Sequence, residues 1–253
     1  MTMQTMTLEP GSSYCCYFSA ANGLSCFIDD DCYEFYLRRL EALCNRLSLR
    51  LHAYCLLEHE VFLLITPMTP RALKFCIDSV SRSYGEYFKQ RFNRPSLVFP
   101  KFRCATRIGS DAAFLDCQKY LEIEGMHKLN LCHPGAYHWS SYTQHAFGGT
   151  SRSEFARGQR ARQRMMRNSS GKFANKCDSL VTSLNRQLVD RPLATLDSHS
   201  ASARYLQSGP DRLRDYRAFI AKGFSGAYHA YLQVKLRHGA YLGPLKKNSS
   251  AAA

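Results

Sequence analysis

Acidic residues are scarce in this chain: 20 Asp and Glu stand against 34 Lys and Arg among 253 residues, a formal net charge of +14. Such an excess favours polyanionic partners through field steering and counterion release, with nucleic acid the first candidate. Charge alone fits equally a basic protein that is merely kept soluble by it. Long apolar runs are also missing. No stretch approaches the roughly 20 residues that span a bilayer, which excludes a membrane helix. The opening Met-Thr-Met-Gln-Thr-Met-Thr-Leu-Glu-Pro has neither a basic nor an apolar region of the kind that directs export. None of the eleven cysteines forms a Cys-x-x-Cys pair, so they read as buried thiols of a reducing cytoplasm, neither a zinc site nor a disulfide framework. No internal repeat is visible. With 45% hydrophobic residues, the chain can bury a core and is long enough for one domain with an appendage or for two small ones.

From Tyr14 to Phe27, aromatic, Cys and small residues alternate around Asn22-Gly23, which predicts a short strand pair. Asp29 to Asp31 offer caps to an amphipathic helix with Tyr33, Tyr36, Leu37, Leu40, Leu43, Cys44 and Leu47 on one face. Residues 50–57 and 60–66 read as a hairpin. Thr69-Pro70 opens a second helix with the stripe Leu73, Ile77, Val80, Tyr84, Tyr87 and Phe88, ending near Asn93-Arg94-Pro95. Another strand is expected between Leu97 and Ile108, then a third helix from Ser110-Asp111 to about Gly125. This order predicts an α+β fold, an antiparallel sheet with helices on one face.

Past Trp139-Ser-Ser-Tyr142 the character changes. Residues 151–176 carry eight basic side chains against one acid, Glu154, with Gly and Ser interspersed, the composition of a linker or DNA-contacting arm. The expected organisation is a domain over 1–150, a basic arm over 151–177, and a small helical region over 178–253. That last region should hold helices at Leu180 to Val189 and Arg212 to Lys222 and a disordered tail from Lys246.

Two segments carry residues suited to chemistry. Leu51 to Pro67 is a pair of apolar strands broken by Glu58-His59, with Glu60 and Phe62 on one face of the second strand and His59 of opposite parity in the turn. In Lys119-Tyr-Leu-Glu-Ile-Glu124 the spacing of four sets Tyr120 and Glu124 on one helix face. Read alone, Tyr120 is a packing residue and the two acids are solvated or, if buried, in need of a cation.

Together these segments resemble the REP-associated tyrosine transposases, single-tyrosine enzymes of the insertion-sequence (HUH) type. In that family a hairpin strand carries His-hydrophobic-His before an apolar run and Thr-Pro, and a helix carries Tyr-Ile-Glu-Leu-Asn-Pro. Phe27-Ile-Asp-Asp-Asp31, Arg50-Leu-His-Ala-Tyr-Cys-Leu56, Arg82-Ser-Tyr-Gly-Glu-Tyr-Phe88, Lys101-Phe-Arg103 and Trp139-Ser-Ser-Tyr142 are similar to successive family blocks, covering roughly residues 14–145. Ala203 to Gly209 and Asp215 to Phe219 resemble the appended region of longer members.

The resemblance implies a ferredoxin-like sheet, Tyr120 as nucleophile on a DNA phosphate, and Glu124 as a metal ligand. The family's two histidine positions hold Glu60 and Phe62. Glu60 with Glu124 would make an oxygen-rich site preferring Mg²⁺ or Mn²⁺, whereas Phe62 offers no ligand. A tyrosine hydroxyl with a pKa near 10 is a poor nucleophile at neutral pH without a metal or base. The expected function is therefore binding of single-stranded or hairpin DNA with cleavage weakened or lost. An active transposase with a rebuilt Glu60/Glu124 site, or a regulatory scaffold reusing the fold, are the alternatives. DNA contacts are expected from Arg82, Lys89, Arg91, Lys101, Arg103 and Arg107, and from Arg157, Arg160, Arg162, Arg164 and Arg167 of the arm. The resemblance implies a bacterial cytoplasmic, nucleoid-associated protein without a membrane partner, and is compatible with a homodimer.

Overall fold

The computed structural model describes residues 8–94, 98–99, 105–147, 212–239 and 241–243. Its strands are β1 (Ser13–Ser19), β2 (Leu49–Leu56), β3 (Glu60–Pro67) and β4 (Ala105–Ile108). Its helices are α1 (Asp30–Arg46), α2 (Ala72–Phe92), α3 (Asp111–Lys128), α4 (Tyr142–Phe147), α5 (Arg212–Ala221) and α6 (Gly226–Arg237). The sheet is antiparallel in the order β2-β3-β1-β4, and the succession β-α-β-β-α-β gives the ferredoxin-like arrangement expected from the sequence.

Local chemistry sets the element ends. The Asp29 carboxylate accepts from the Cys32 N–H at 3.1 Å and starts α1. The Ser110 hydroxyl accepts from the Ala113 N–H at 3.2 Å and starts α3 in the same way. Asn93 ends α2 in the left-handed region that Asn tolerates. Leu57 and Glu60 exchange backbone hydrogen bonds around Glu58-His59, a two-residue hairpin turn.

Both faces of the sheet are covered, where helices on one face were expected. Tyr36 of α1 lies by Cys16 and by Cys76 of α2 on one side, while Cys15, of opposite parity, meets Cys117 of α3 on the other. α6 joins α3 on that second side, against β1 and β4. The physical reason lies in β3, which is buried at every residue after Glu60, so its second face needs apolar cover as much as the first.

Three further differences from the sequence reading follow from contacts made at a distance. Among the described residues, no second strand follows β1 directly: Ala21–Gly23 is a 3-10 turn, and β1 pairs with β3 and β4 instead. α3 continues past Gly125 to Lys128, because that glycine serves a close approach rather than a helix end. A Cβ there would lie 2.0 Å from the Tyr137 ring. α4 and α6 were not anticipated.

Each edge of the sheet is closed by chain from elsewhere, which removes exposed pairing groups. Leu56 N–H donates to Trp139 O at 2.8 Å and Ser141 N–H to Tyr54 O at 3.0 Å along β2. On β4, Gly109 N–H donates to Leu242 O at 2.7 Å and Leu242 N–H to Arg107 O at 2.9 Å. Leu232, Leu236 and Leu242 belong to the same core cluster as the sheet, so α6 and the segment after it share one core with the strands.

Among the described cysteines, eight are buried and Cys132 is exposed, all as free thiols. No described helix is long and apolar enough to cross a membrane. Lys101, Arg103, the arm with its arginines at 157, 160, 162, 164 and 167, the Leu180 to Val189 helix, the Ala203 to Gly209 block and the tail from Lys246 lie outside the described residues.

Candidate functional site

Strand parity, helix spacing and the docking of α6 converge on one point beneath the sheet. Glu60 and Phe62 project from β3 toward α3 and α6. β1 sets Tyr17 opposite Phe62, with ring centroids 4.9 Å apart. α3 brings Tyr120 to Phe62 with ring centroids 5.9 Å apart, edge to face. Glu124 follows Tyr120 one turn further along the helix. The structure thus gathers Tyr120 and Glu124, paired by their spacing, with Glu60, put forward by the family resemblance.

A fourth residue, absent from the sequence reading, lies among them. Arg237, in the last turn of α6, donates from Nη1 to Glu60 Oε1 at 2.7 Å. Its Nη2 donates to Glu60 Oε2 at 3.0 Å, which completes a bidentate fork. Nη2 also donates to Glu124 Oε1 at 3.2 Å. The guanidinium lies over the Tyr17 ring at 5.3 Å and over the Phe62 ring at 5.6 Å. Carboxylates therefore hold its edge and aromatic faces hold its plane. Tyr17 OH donates to Glu60 Oε1 at 2.9 Å, and Lys128 Nζ stands 3.6 Å from Oε2. His229, two turns earlier on α6, places Nε2 3.3 Å from Glu124 Oε2.

α6 reaches this position through its own ends. The Ser225 hydroxyl accepts from the Tyr228 N–H at 3.3 Å and starts the helix. Thr106 of β4 donates its hydroxyl to Lys235 O at 2.9 Å, tying the C-terminal turn to the sheet. Leu232 and Leu236, four apart, face the core and leave Arg237 beside them.

Burial governs the electrostatics here. Glu124 is 1% exposed and Tyr120 and Phe62 are 0% exposed. Burial, then the Glu124 charge, pushes the Tyr120 hydroxyl well above the ordinary tyrosine value, with Arg237 pulling only partly the other way. Among the described residues, the Tyr120 oxygen has no hydrogen-bond partner. Burial also works against the Arg237 charge, but Glu60, Tyr120, Tyr17 and Glu124 outweigh it and hold the guanidinium above its usual value. The His127 imidazole, 4.7 Å from that of His229, is lowered by burial and by its neighbour's charge.

The other side of α3 carries a second buried acid that sequence reasoning missed. Glu122 is 0% exposed. Its Oε1 accepts from Ser141 Oγ at 2.9 Å and meets His145 Nδ1, and its Oε2 accepts from Tyr216 OH at 2.5 Å. Gln118 donates to the same Tyr216 oxygen at 2.7 Å. These contacts join α3, α4 and α5. The signal was present in the blocks Trp139-Ser-Ser-Tyr142 and Asp215 to Phe219, each of which supplies one partner. For α6, the signal was Ser225 ahead of Leu232 and Leu236 at helical spacing.

The expected DNA contacts divide among the described residues. Arg82 and Lys89 lie on α2, seven residues apart on one face, and both are exposed. Arg91 is held by Asp29 at 2.7 Å and Asp31 at 2.9 Å, and Arg107 by Glu9 at 2.5 Å. A cleft of about 1160 Å³ opens beside Glu60 and is bordered by Lys128, Arg94 and the stacked rings of Tyr33 and Trp139, 4.4 Å apart.

The donor set does not suit a divalent ion. Phe62 has no lone pair to offer, and the guanidinium of Arg237 already takes both oxygens of Glu60 and one of Glu124. Among the described residues, no group of three His, Cys, Asp or Glu is placed to hold a metal.

Comparison with known proteins gives one distant likeness. No family model and no curated protein matches the sequence. Among solved structures, the fold is similar to that of a REP-associated tyrosine transposase bound to a REP hairpin, with a TM-score of 0.45 and 10% identity over 56% of this chain and 82% of that one.

Proposed function

We propose that this protein binds single-stranded or hairpin DNA on a transposase-derived ferredoxin-like scaffold and has lost the cleavage reaction of that family. The observation that carries the second half is Arg237: a guanidinium sits between the carboxylates that would have served an ion, under a sheet face that also buries the tyrosine. Attack on a phosphodiester needs the tyrosine oxygen in line with phosphorus and a means of lowering its pKa. Here the hydroxyl lies among Phe62, Glu124 and Arg237, and its environment raises the pKa instead.

The binding half rests on the net charge of +14, the family-like blocks in series along the first domain, and the basic arm. The arrangement around Arg237 speaks against a working site rebuilt from Glu60 and Glu124, since one guanidinium from within the chain already bonds both carboxylates.

The test uses end-labelled hairpin DNA with Mg²⁺ or Mn²⁺, wild-type protein and Tyr120→Phe, with a denaturing gel for covalent adduct and anisotropy for binding across a salt series. Salt-sensitive binding without adduct is expected. A metal-dependent adduct absent from Tyr120→Phe would overturn the loss of cleavage. Absence of binding at low salt would leave the scaffold alternative in its place.

A further inference from the structure

The inner face of α6 closes over Glu60 and Glu124; its outer face presents aromatic rings to solvent. Tyr228, Tyr231 and Val234 are 37%, 44% and 58% exposed, and Tyr241 just beyond the helix is 38% exposed. Soluble proteins leave large apolar side chains exposed singly, so a contiguous set on one helix is informative. The rings of Tyr228 and Tyr231 lie nearly parallel, 17° apart with centroids at 5.7 Å, and the Lys235 ammonium stands 5.7 Å from the Tyr231 centroid.

α6 itself contains no acidic residue and carries two basic ones, Lys235 and Arg237. Of these, Arg237 is spent on Glu60 and Glu124. Asp116, an acid from another element, accepts a hydrogen bond from Tyr228 OH at 2.7 Å and so holds that ring in place.

We propose that the outer face of α6 is a stacking platform for unpaired bases of single-stranded nucleic acid, with Tyr231 and Tyr228 as the platform and Lys235 beside the backbone. This deepens the DNA-binding reading above and rests on it. Stacking on exposed rings tolerates any base and needs cations nearby for the phosphates. A second copy of the chain is the less favoured occupant, because the net charge of +14 on each copy opposes their approach and favours a polyanion. The rings also belong to a helix fixed at both ends by Ser225 and Thr106, so little order remains to be imposed on binding.

The experiment measures anisotropy of labelled oligothymidine and of a duplex of equal length with wild-type protein, Tyr231→Ala and Lys235→Gln. Circular dichroism confirms the fold, and light scattering follows mass. Tyr231→Ala should weaken oligothymidine binding about tenfold and leave duplex binding unchanged. Lys235→Gln should reduce the slope of log affinity against log salt by about one. Unchanged oligothymidine binding by Tyr231→Ala would overturn the platform while leaving the DNA-binding reading intact. A wild-type dimer that Tyr231→Ala converts to monomer would assign the face to self-association instead. Failure of the wild-type protein to bind either DNA would overturn both readings.

Discussion

α3 buries two glutamates two residues apart, and they are satisfied by opposite means. Glu122 sits in a network of neutral and titratable donors, Ser141, Tyr216 and His145, contributed by α4, α5 and the residue before α4. Glu124 is answered by a full positive charge, Arg237, which it shares with Glu60. On the first side the oxygens are surrounded by donors. On the second, Glu124 Oε2, Arg237 Nε and the Tyr120 hydroxyl lack hydrogen bonds among the described residues. Unpaired atoms occur on the Glu122 side too, at Gln118 Oε1, so the two sides differ in how the carboxylate itself is met: by several donors around Glu122 and by one shared guanidinium at Glu124.

The broadest way to probe both sides at once is alkaline pH. Tyr120 beside Glu124 and Tyr216 beside Glu122 are both raised above the ordinary value of 10.0, in each case by burial first and the carboxylate second. Tyr36 and Tyr137 are raised as well, again chiefly by burial. Above about pH 10 the unfolded chain loses tyrosine protons that the folded chain keeps, so stability is full below that pH and falls above it. Urea midpoints should therefore drop steeply between neutral pH and pH values above about 10, and a flat profile would contradict the burial of these hydroxyls.

Arg237→Ala should be the most damaging single substitution. It leaves the buried Glu124 without its guanidinium and Glu60 with only Lys128 at 3.6 Å, a loss of about 3–5 kcal/mol in urea unfolding. Added Mn²⁺ should not restore it, since Phe62 supplies no ligand; recovery of stability with Mn²⁺ would mean that a metal site persists beneath the arginine. Glu122→Ala should cost less, about 2–3 kcal/mol, because the stranded partners are mostly neutral. Equal losses from the two variants would erase the distinction between the sides.

Gly125→Ala should cost about 1–3 kcal/mol by overpacking against the Tyr137 ring, read as a drop in melting temperature. The smallest effect is expected from Tyr120→Phe. Among the described residues its hydroxyl has no hydrogen bond to lose. Stability should stay within about 1 kcal/mol of wild type or rise. Tyr216→Phe, by contrast, gives up bonds to Glu122 and Gln118 and should be measurably less stable.

Local signals located much of this molecule. The caps at Asp29 and Ser110, the stripes of α1 and α2, the Glu58-His59 turn and the shared face of Tyr120 and Glu124 are properties of neighbours within a few residues. What escaped is what depends on distant chain. Arg237 is 177 residues from Glu60 and 113 from Glu124, and no periodicity connects them. The second helical layer escaped for the same reason. α3 is buried on nearly every side from Cys117 to Gly125, so an apolar stripe on one face, which suggested a single buried surface, understated its cover. The turn signal Asn22-Gly23 was real, but β1 found better partners in β3 and β4 than in the segment just after it.

The bridge from Leu242 to β4 has a consequence for synthesis. A ribosome releases the sheet's strands long before it releases the residues that close the β4 edge, since Leu242 is bridged to Ile108 from far along the chain. Until then a nascent chain carries an open strand edge, a Gly109 without the Tyr241 ring that rests on it, and two carboxylates awaiting their arginine. Closure of the β4 edge thus waits on residues more than 120 positions after the strand itself, and a chain cut before Arg237 would lack both the edge cover and the cation shared by Glu60 and Glu124.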